Sequence, residues 1–161
     1  MEEIDVLPYP QNGAYGCGLF SVAHACNLGS LITPHRIEES RLHGNTIGQL
    51  SKWLQEDGNP WYIEVMYYDH LGNRIPDKHL DLKPEGEVNF LPVCLTVRLK
   101  DGGLNHMIAG KIDKEGNFFL YDSMKTHILK TTLRAVNEAY EFVYGLFIFA
   151  DVNTSDYLFI L

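Results

Sequence analysis

Gln11, Cys17, His106 and Asp122 have the residue types needed for thiol chemistry on an acyl group. The segment Gln11-Asn12-Gly13-Ala14-Tyr15-Gly16-Cys17-Gly18-Leu19-Phe20-Ser21 sets a glutamine six residues before a cysteine that opens an apolar, helix-like run. A thiol at a helix start lies at the positive end of the helix dipole, where the thiolate is favoured. A thiolate that cleaves an acyl compound needs a base that later serves as acid. It also needs a group that fixes the base's tautomer and donors for the oxyanion. His106 opens the apolar run Met107-Ile108-Ala109, and Asp122 closes Phe118-Phe119-Leu120-Tyr121. The Gln11 amide and the backbone N–H of Cys17, an unpaired amide at a helix start, are the oxyanion donors this reading expects.

The elements that must position these groups follow from pattern. Leu7-Pro8-Tyr9-Pro10 is extended, because proline disfavours helix in itself and in the residue before it. Glycines 13 and 16 turn the chain into a first helix over Cys17–Asn27, stopped by Asn27 and Gly29. Pro34 opens a short helix through Glu39. Thr46-Ile47-Gly48-Gln49 has the form of a capping box, and Ile47, Leu50, Trp53 and Leu54 continue it at helical spacing, giving a helix over 46–56. The period then changes to short β-rich runs, Trp61–Tyr68, Leu91–Leu99, Met107–Ile112, Asn117–Asp122 and Tyr144–Phe149. Lys100-Asp101-Gly102-Gly103 reads as a turn and residues 131–142 as a late helix. Tyr157-Leu158-Phe159-Ile160-Leu161 reads as an apolar strand. Helices followed by strands make an α+β protein, and 161 residues suit one domain spanning 1–161. A hairpin centred near residue 115 pairs the strands carrying His106 and Asp122. Residue 106 then faces about residue 124, close to Asp122.

With these residues in place the chain resembles the papain-like cysteine peptidases. Gln11 and Cys17, with Gly16, Gly18, Phe20 and Ser21 around the thiol, look like the family's active-site segment. Asn105-His106 entering an apolar strand and Asp122-Ser123 resemble its His and Asn blocks. The resemblance implies an oxyanion glutamine at Gln11, a nucleophile at Cys17, a general base at His106 and an orienting residue at Asp122. It implies a papain-like fold, with a helical part carrying the cysteine packed on an antiparallel sheet carrying the other two. Three short blocks within residues 11–123 carry it. Asp122 stands where papain has Asn, a role that other lineages of the fold fill with Asp. Gly18 replaces the family's usual aromatic and is expected to open the region beside the thiol. His106 follows Cys17 by 89 residues, against roughly 130–150 in papain-type enzymes. The chain is thus a compact version, closer to small bacterial or viral peptidases and some deubiquitinases.

Composition narrows the alternatives. A net charge of −8 supplies no basic field for nucleic acid or anionic membranes, and Lys125, Lys130 and Arg134 read as a solvated face. Three cysteines make no disulfide framework, and the acidic start Met1-Glu2-Glu3-Ile4-Asp5 lacks the apolar core of a signal peptide. No run reaches the roughly 18 apolar residues of a membrane span. A reducing, cytoplasmic setting is expected, including that of a host cell if the chain is viral or an effector. Cys17, His24, Cys26 and His35 have zinc-ligand types, but on one helix 24 and 26 diverge by about 200°, so no metal or cofactor is expected. The expected partner is a protein or peptide substrate; oligomeric state is not legible. Three readings stand: a hydrolase of peptide or isopeptide bonds, a transglutaminase or deamidase using the same acyl-enzyme, and an inert binding module.

Overall fold

In a computed structural model the chain is an α+β protein whose described residues are 1–151 apart from 12, 14, 70, 72, 99–104 and 141. They form, in order, β1 (Glu2–Val6), α1 (Cys17–Cys26), α2 (Pro34–His43), α3 (Ile47–Glu56), β2 (Trp61–Tyr68), β3 (Phe90–Arg98), β4 (Asn105–Asp113), β5 (Asn117–Tyr121), β6 (His127–Thr132), α4 (Leu133–Ala139) and β7 (Phe142–Asp151). The expected turn at 100–103 and the terminal 157–161 strand lie outside the described residues. The seven strands make one antiparallel sheet in the order β1-β6-β5-β4-β3-β7-β2.

Three layers bury both faces of the sheet centre. On one face Leu19, Val22 and Ala25 of α1 and Leu50, Trp53 and Leu54 of α3 pack on Cys94, Met107, Ala109, Phe147 and Phe149. On the other, Ile75, Leu80 and the α4 residues Leu133 and Val136 cover Val93, Leu95, Ile108, Ile112 and Phe118. Strands covered on both faces read as continuous apolar runs, as Leu91–Leu95 does.

Local chemistry sets the helix starts. Thr33 Oγ1 accepts the Arg36 N–H at 3.2 Å ahead of Pro34, and Thr46 Oγ1 accepts the Gln49 N–H at 3.1 Å. Pro34 opens a helix that runs to His43, past the expected Glu39, because its inner face carries buried Arg36 and Ser40. Arg36 holds Asp57 with two bonds of 2.8 Å, reaches the Leu31 carbonyl at 3.2 Å and lies over the Trp53 ring, clasping α2 to the end of α3.

Two strands were not expected. β1 pairs with β6, and β6 pairs with β5. The late helix begins at Leu133, because Thr131 and Thr132 belong to β6 and Thr132 Oγ1 caps α4 through the Ala135 N–H at 3.1 Å. The hairpin between β4 and β5 pairs Ala109 with Tyr121 and Ile112 with Phe118, and extending that register sets 106 opposite 124.

Candidate active site

Cys17 is the first residue of α1, His106 the second of β4, and Asp122 follows the last residue of β5. Packing of α1 on β4 brings the helix start over the strand, and the Ser21 hydroxyl, donating to the Met107 carbonyl at 3.0 Å, ties the two together. The β4–β5 hairpin brings Asp122 alongside His106. Their side chains meet at 2.8 Å between Nε2 and Oδ1, both buried. The Met124 N–H donates to the same carboxylate oxygen at 3.1 Å, and the Lys125 N–H donates to the Asp122 carbonyl at 2.9 Å, closing the turn that presents Asp122. With Nε2 taken, the other ring nitrogen is left for the Cys17 thiol, and the thiol and imidazole each favour the charged form of the other.

The electrostatics of the three groups agree. Burial pushes the Cys17 thiol up. The His106 hydrogen bond, the Met107 and Gly18 amides and the charge of the imidazole outweigh burial and hold it below the ordinary thiol value. Burial disfavours the imidazolium, yet Asp122 and Cys17 raise His106 to about 9. Burial likewise opposes ionisation of Asp122, and the His106 bond overrides it and keeps the carboxyl below its usual range. The arrangement favours a thiolate–imidazolium pair braced by a carboxylate.

Gln11 joins the cluster differently from its expected pose. Its backbone N–H donates to the Ser123 carbonyl at 3.0 Å and its Oε1 accepts from the Ser123 hydroxyl at 2.6 Å. The side-chain amide donates to the carbonyls of Gly13 at 3.1 Å and Tyr15 at 2.8 Å, so both N–H groups brace the turn leading to Cys17. That turn ends at Gly16, whose φ of 97° lies in the left-handed region suited to glycine.

Two other residues support the site. His24 Nε2 accepts the Tyr9 N–H at 3.0 Å, and its ring lies between those of Tyr9 and Tyr121, anchoring the segment that carries Gln11. Burial holds this imidazole near 4, so it is neutral at physiological pH. Seven positions after Cys17, about two helical turns on, it lies on the same side of the helix as the thiol, as the spacing predicts. Asn45 had no such signal. Its Oδ1 accepts the Leu19 N–H at 3.0 Å, and a Cβ on Gly18 would stand 2.6 Å from the Asn45 Cβ. The space expected to be open beside the thiol is therefore occupied by Asn45.

From Cys17 and His106 a cleft of about 800 Å³ runs over Thr96 of β3 and Phe147 of β7 to Val65 and Tyr68 of the edge strand β2. Tyr144 also lines it. Opposite β3, Val143 pairs with Val97 and Gly145 with Thr96, so Tyr144 is the extra residue of a β-bulge. Of the residues read as a solvated face, Arg134 pairs with Asp77 at 3.2 Å and Asp81 at 3.7 Å. Among the described residues no three His, Cys, Asp or Glu side chains are grouped to hold a metal ion, and no helix is long and apolar enough to cross a membrane. All three cysteines are free thiols.

The chain matches no protein-family model, and no curated protein matches it at a significant level.

Proposed function

We propose that this protein is a papain-like cysteine hydrolase that cleaves peptide or isopeptide bonds. The observation that carries the reading is the grouping of Cys17 and His106 on one cleft, with Asp122 bonded to the imidazole at 2.8 Å behind them. In the reaction the Cys17 sulfur attacks the substrate carbonyl carbon. The C–N bond breaks as the His106 imidazolium gives its proton to the leaving amine, which leaves a thioester. His106 then takes a proton from water, the hydroxide attacks the thioester, and the acid departs as the thiolate returns. The Cys17 N–H is one donor to the oxyanion; Gln11 supplies a second when one amide N–H leaves its turn carbonyl. Asp122 holds the tautomer and offsets the imidazolium charge.

Apart from the Cys17–His106 pair the cleft lining carries neutral groups, so the substrate is a neutral stretch of protein or peptide. Free thiols suit a reducing compartment, and we assign the enzyme to the cytoplasm, its own or a host's.

The test is the pH profile of Cys17 alkylation by iodoacetamide, read by mass spectrometry, beside His106→Ala. Rapid modification well below the free-thiol pKa of about 8.5, lost with His106, is the expected result. Slow, His106-independent alkylation would leave a structural cysteine and an inert module. Cys17→Ala is expected to fold and to lose all turnover. Product analysis with an added amine separates hydrolysis from acyl transfer, since transfer yields amide in place of acid.

A further inference from the structure

The start of α1 carries amides that its own sequence cannot satisfy. Its N-cap residue, Gly16, has no side chain, whereas an N-cap ordinarily accepts the N–H of the second or third helical residue. The Phe20 N–H reaches the Gly16 carbonyl at 3.0 Å, and the Gly18 amide favours the charged form of the Cys17 sulfur. The Leu19 N–H is taken by Asn45 Oδ1 at 3.0 Å, from the connection between α2 and α3 and 26 residues along the chain. Cys17's own amide is then the donor left for an oxyanion.

The Asn45 amide has one orientation. The Ser40 hydroxyl spends its single proton on the Arg36 carbonyl at 2.8 Å, so towards Asn45 it only accepts, from Nδ2 at 2.8 Å. The second Nδ2 proton goes to the Gly44 carbonyl at 3.2 Å. Oδ1 is thereby turned to Leu19. Its approach depends on Gly18, where a Cβ would lie 2.6 Å from the Asn45 Cβ and 3.0 Å from Oδ1.

Aspartate caps a helix as well as asparagine does and complements the dipole better. At this position its charge would oppose the thiolate, whereas a neutral oxygen satisfies the amide and leaves the dipole to the sulfur. We propose that Asn45 is a positioning residue for Cys17: a neutral cap, supplied from the α2–α3 connection, that completes the nucleophile's helix without setting a charge beside the thiolate. This rests on the thiolate reading of Cys17 given above.

The experiment is the pH profile of iodoacetamide alkylation of Cys17 in wild type, Asn45→Asp and Asn45→Ala, with thermal midpoints and hydrogen exchange of the Leu19 amide. Asn45→Asp is expected to keep Leu19 protection and to lower the midpoint while still folded, because its second carboxylate oxygen replaces the N–H groups that serve Ser40 and Gly44. Its alkylation at pH 6 should slow by roughly three- to tenfold as the acid limb moves to higher pH. Asn45→Ala is expected to lose Leu19 protection and to move the same limb upward while still folded. Asn45 is overturned as a positioning residue if either variant keeps the wild-type limb, including when Asn45→Ala only lowers the midpoint. A wild type that alkylates like a free thiol removes the thiolate reading itself, and this inference with it.

Discussion

The Ser123 hydroxyl lies 2.6 Å from Gln11 Oε1, joining residues 112 positions apart. Because the Gln11 nitrogen faces two carbonyls, its oxygen must face Ser123, and Ser123 must donate. Ser123→Ala strands a buried acceptor. It should cost about 1–3 kcal/mol in urea unfolding. Under the proposed reaction it should lower kcat roughly three- to tenfold with little change in KM, since a loosened Gln11 amide matters most when the oxyanion forms.

Asp122→Asn should move the pH limits of the reaction. His106 is held near 9 against burial by Asp122 and Cys17, and losing the carboxylate lets its pKa fall. The alkaline limb of kcat/KM should shift from near pH 9 towards neutrality, with about a hundredfold lower maximum. Stability follows with a definite sign. A raised imidazole pKa stabilises fully below the unfolded value of about 6.5 and loses the effect as pH rises through 9; a lowered carboxyl stabilises above about 3.9 and loses it on acidification. The gap between wild type and variant in urea midpoint should thus be widest from about pH 4 to 6.5 and close above 9.

His24 sets an acid limit of its own. Its folded pKa of about 4 lies below the ordinary 6.5, so the unfolded chain takes up a proton that the folded one refuses. Stability is full above 6.5 and falls on acidification towards 4, by up to about 3 kcal/mol. Urea midpoints at pH 7 and 4.5 should differ less in His24→Gln than in wild type.

The α2–α3 clasp is a matter of stability. Arg36→Ala leaves its partners without the guanidinium fork and should cost about 3 kcal/mol, seen as a lower urea midpoint. Arg36→Lys should recover only part of it, because an ammonium cannot make both bonds to Asp57.

What was legible in the chain was local or tied to a short turn. The hairpin at 114–116 gave the register that puts residue 106 opposite 124, and Thr46 was legible as a cap. β1 escaped notice because Glu2–Val6 is exposed along its length and acidic at three of five positions, with no buried face to impose a period. β6 escaped because only Ile128 is buried among its six residues. Asn45 was invisible for another reason. Its role exists only through the distance between two elements, and Gly44-Asn45-Thr46 reads as an ordinary polar connection.

The position of β7 has a consequence in time. It is the last described strand in the chain yet lies between β3 and β2, so β2 joins the sheet only after residues 142–151 have been made. Until then the cleft lacks Tyr144 and Phe147, and the edge residues Val65 and Tyr68 have no fixed place beside the thiol. A chain still being synthesised can hold Cys17, His106 and Asp122 and yet have no formed cleft in which to receive a neighbouring polypeptide. Under the proposed reaction, strand order alone defers the hazard of a nascent nucleophile until residues 142–151 are in place.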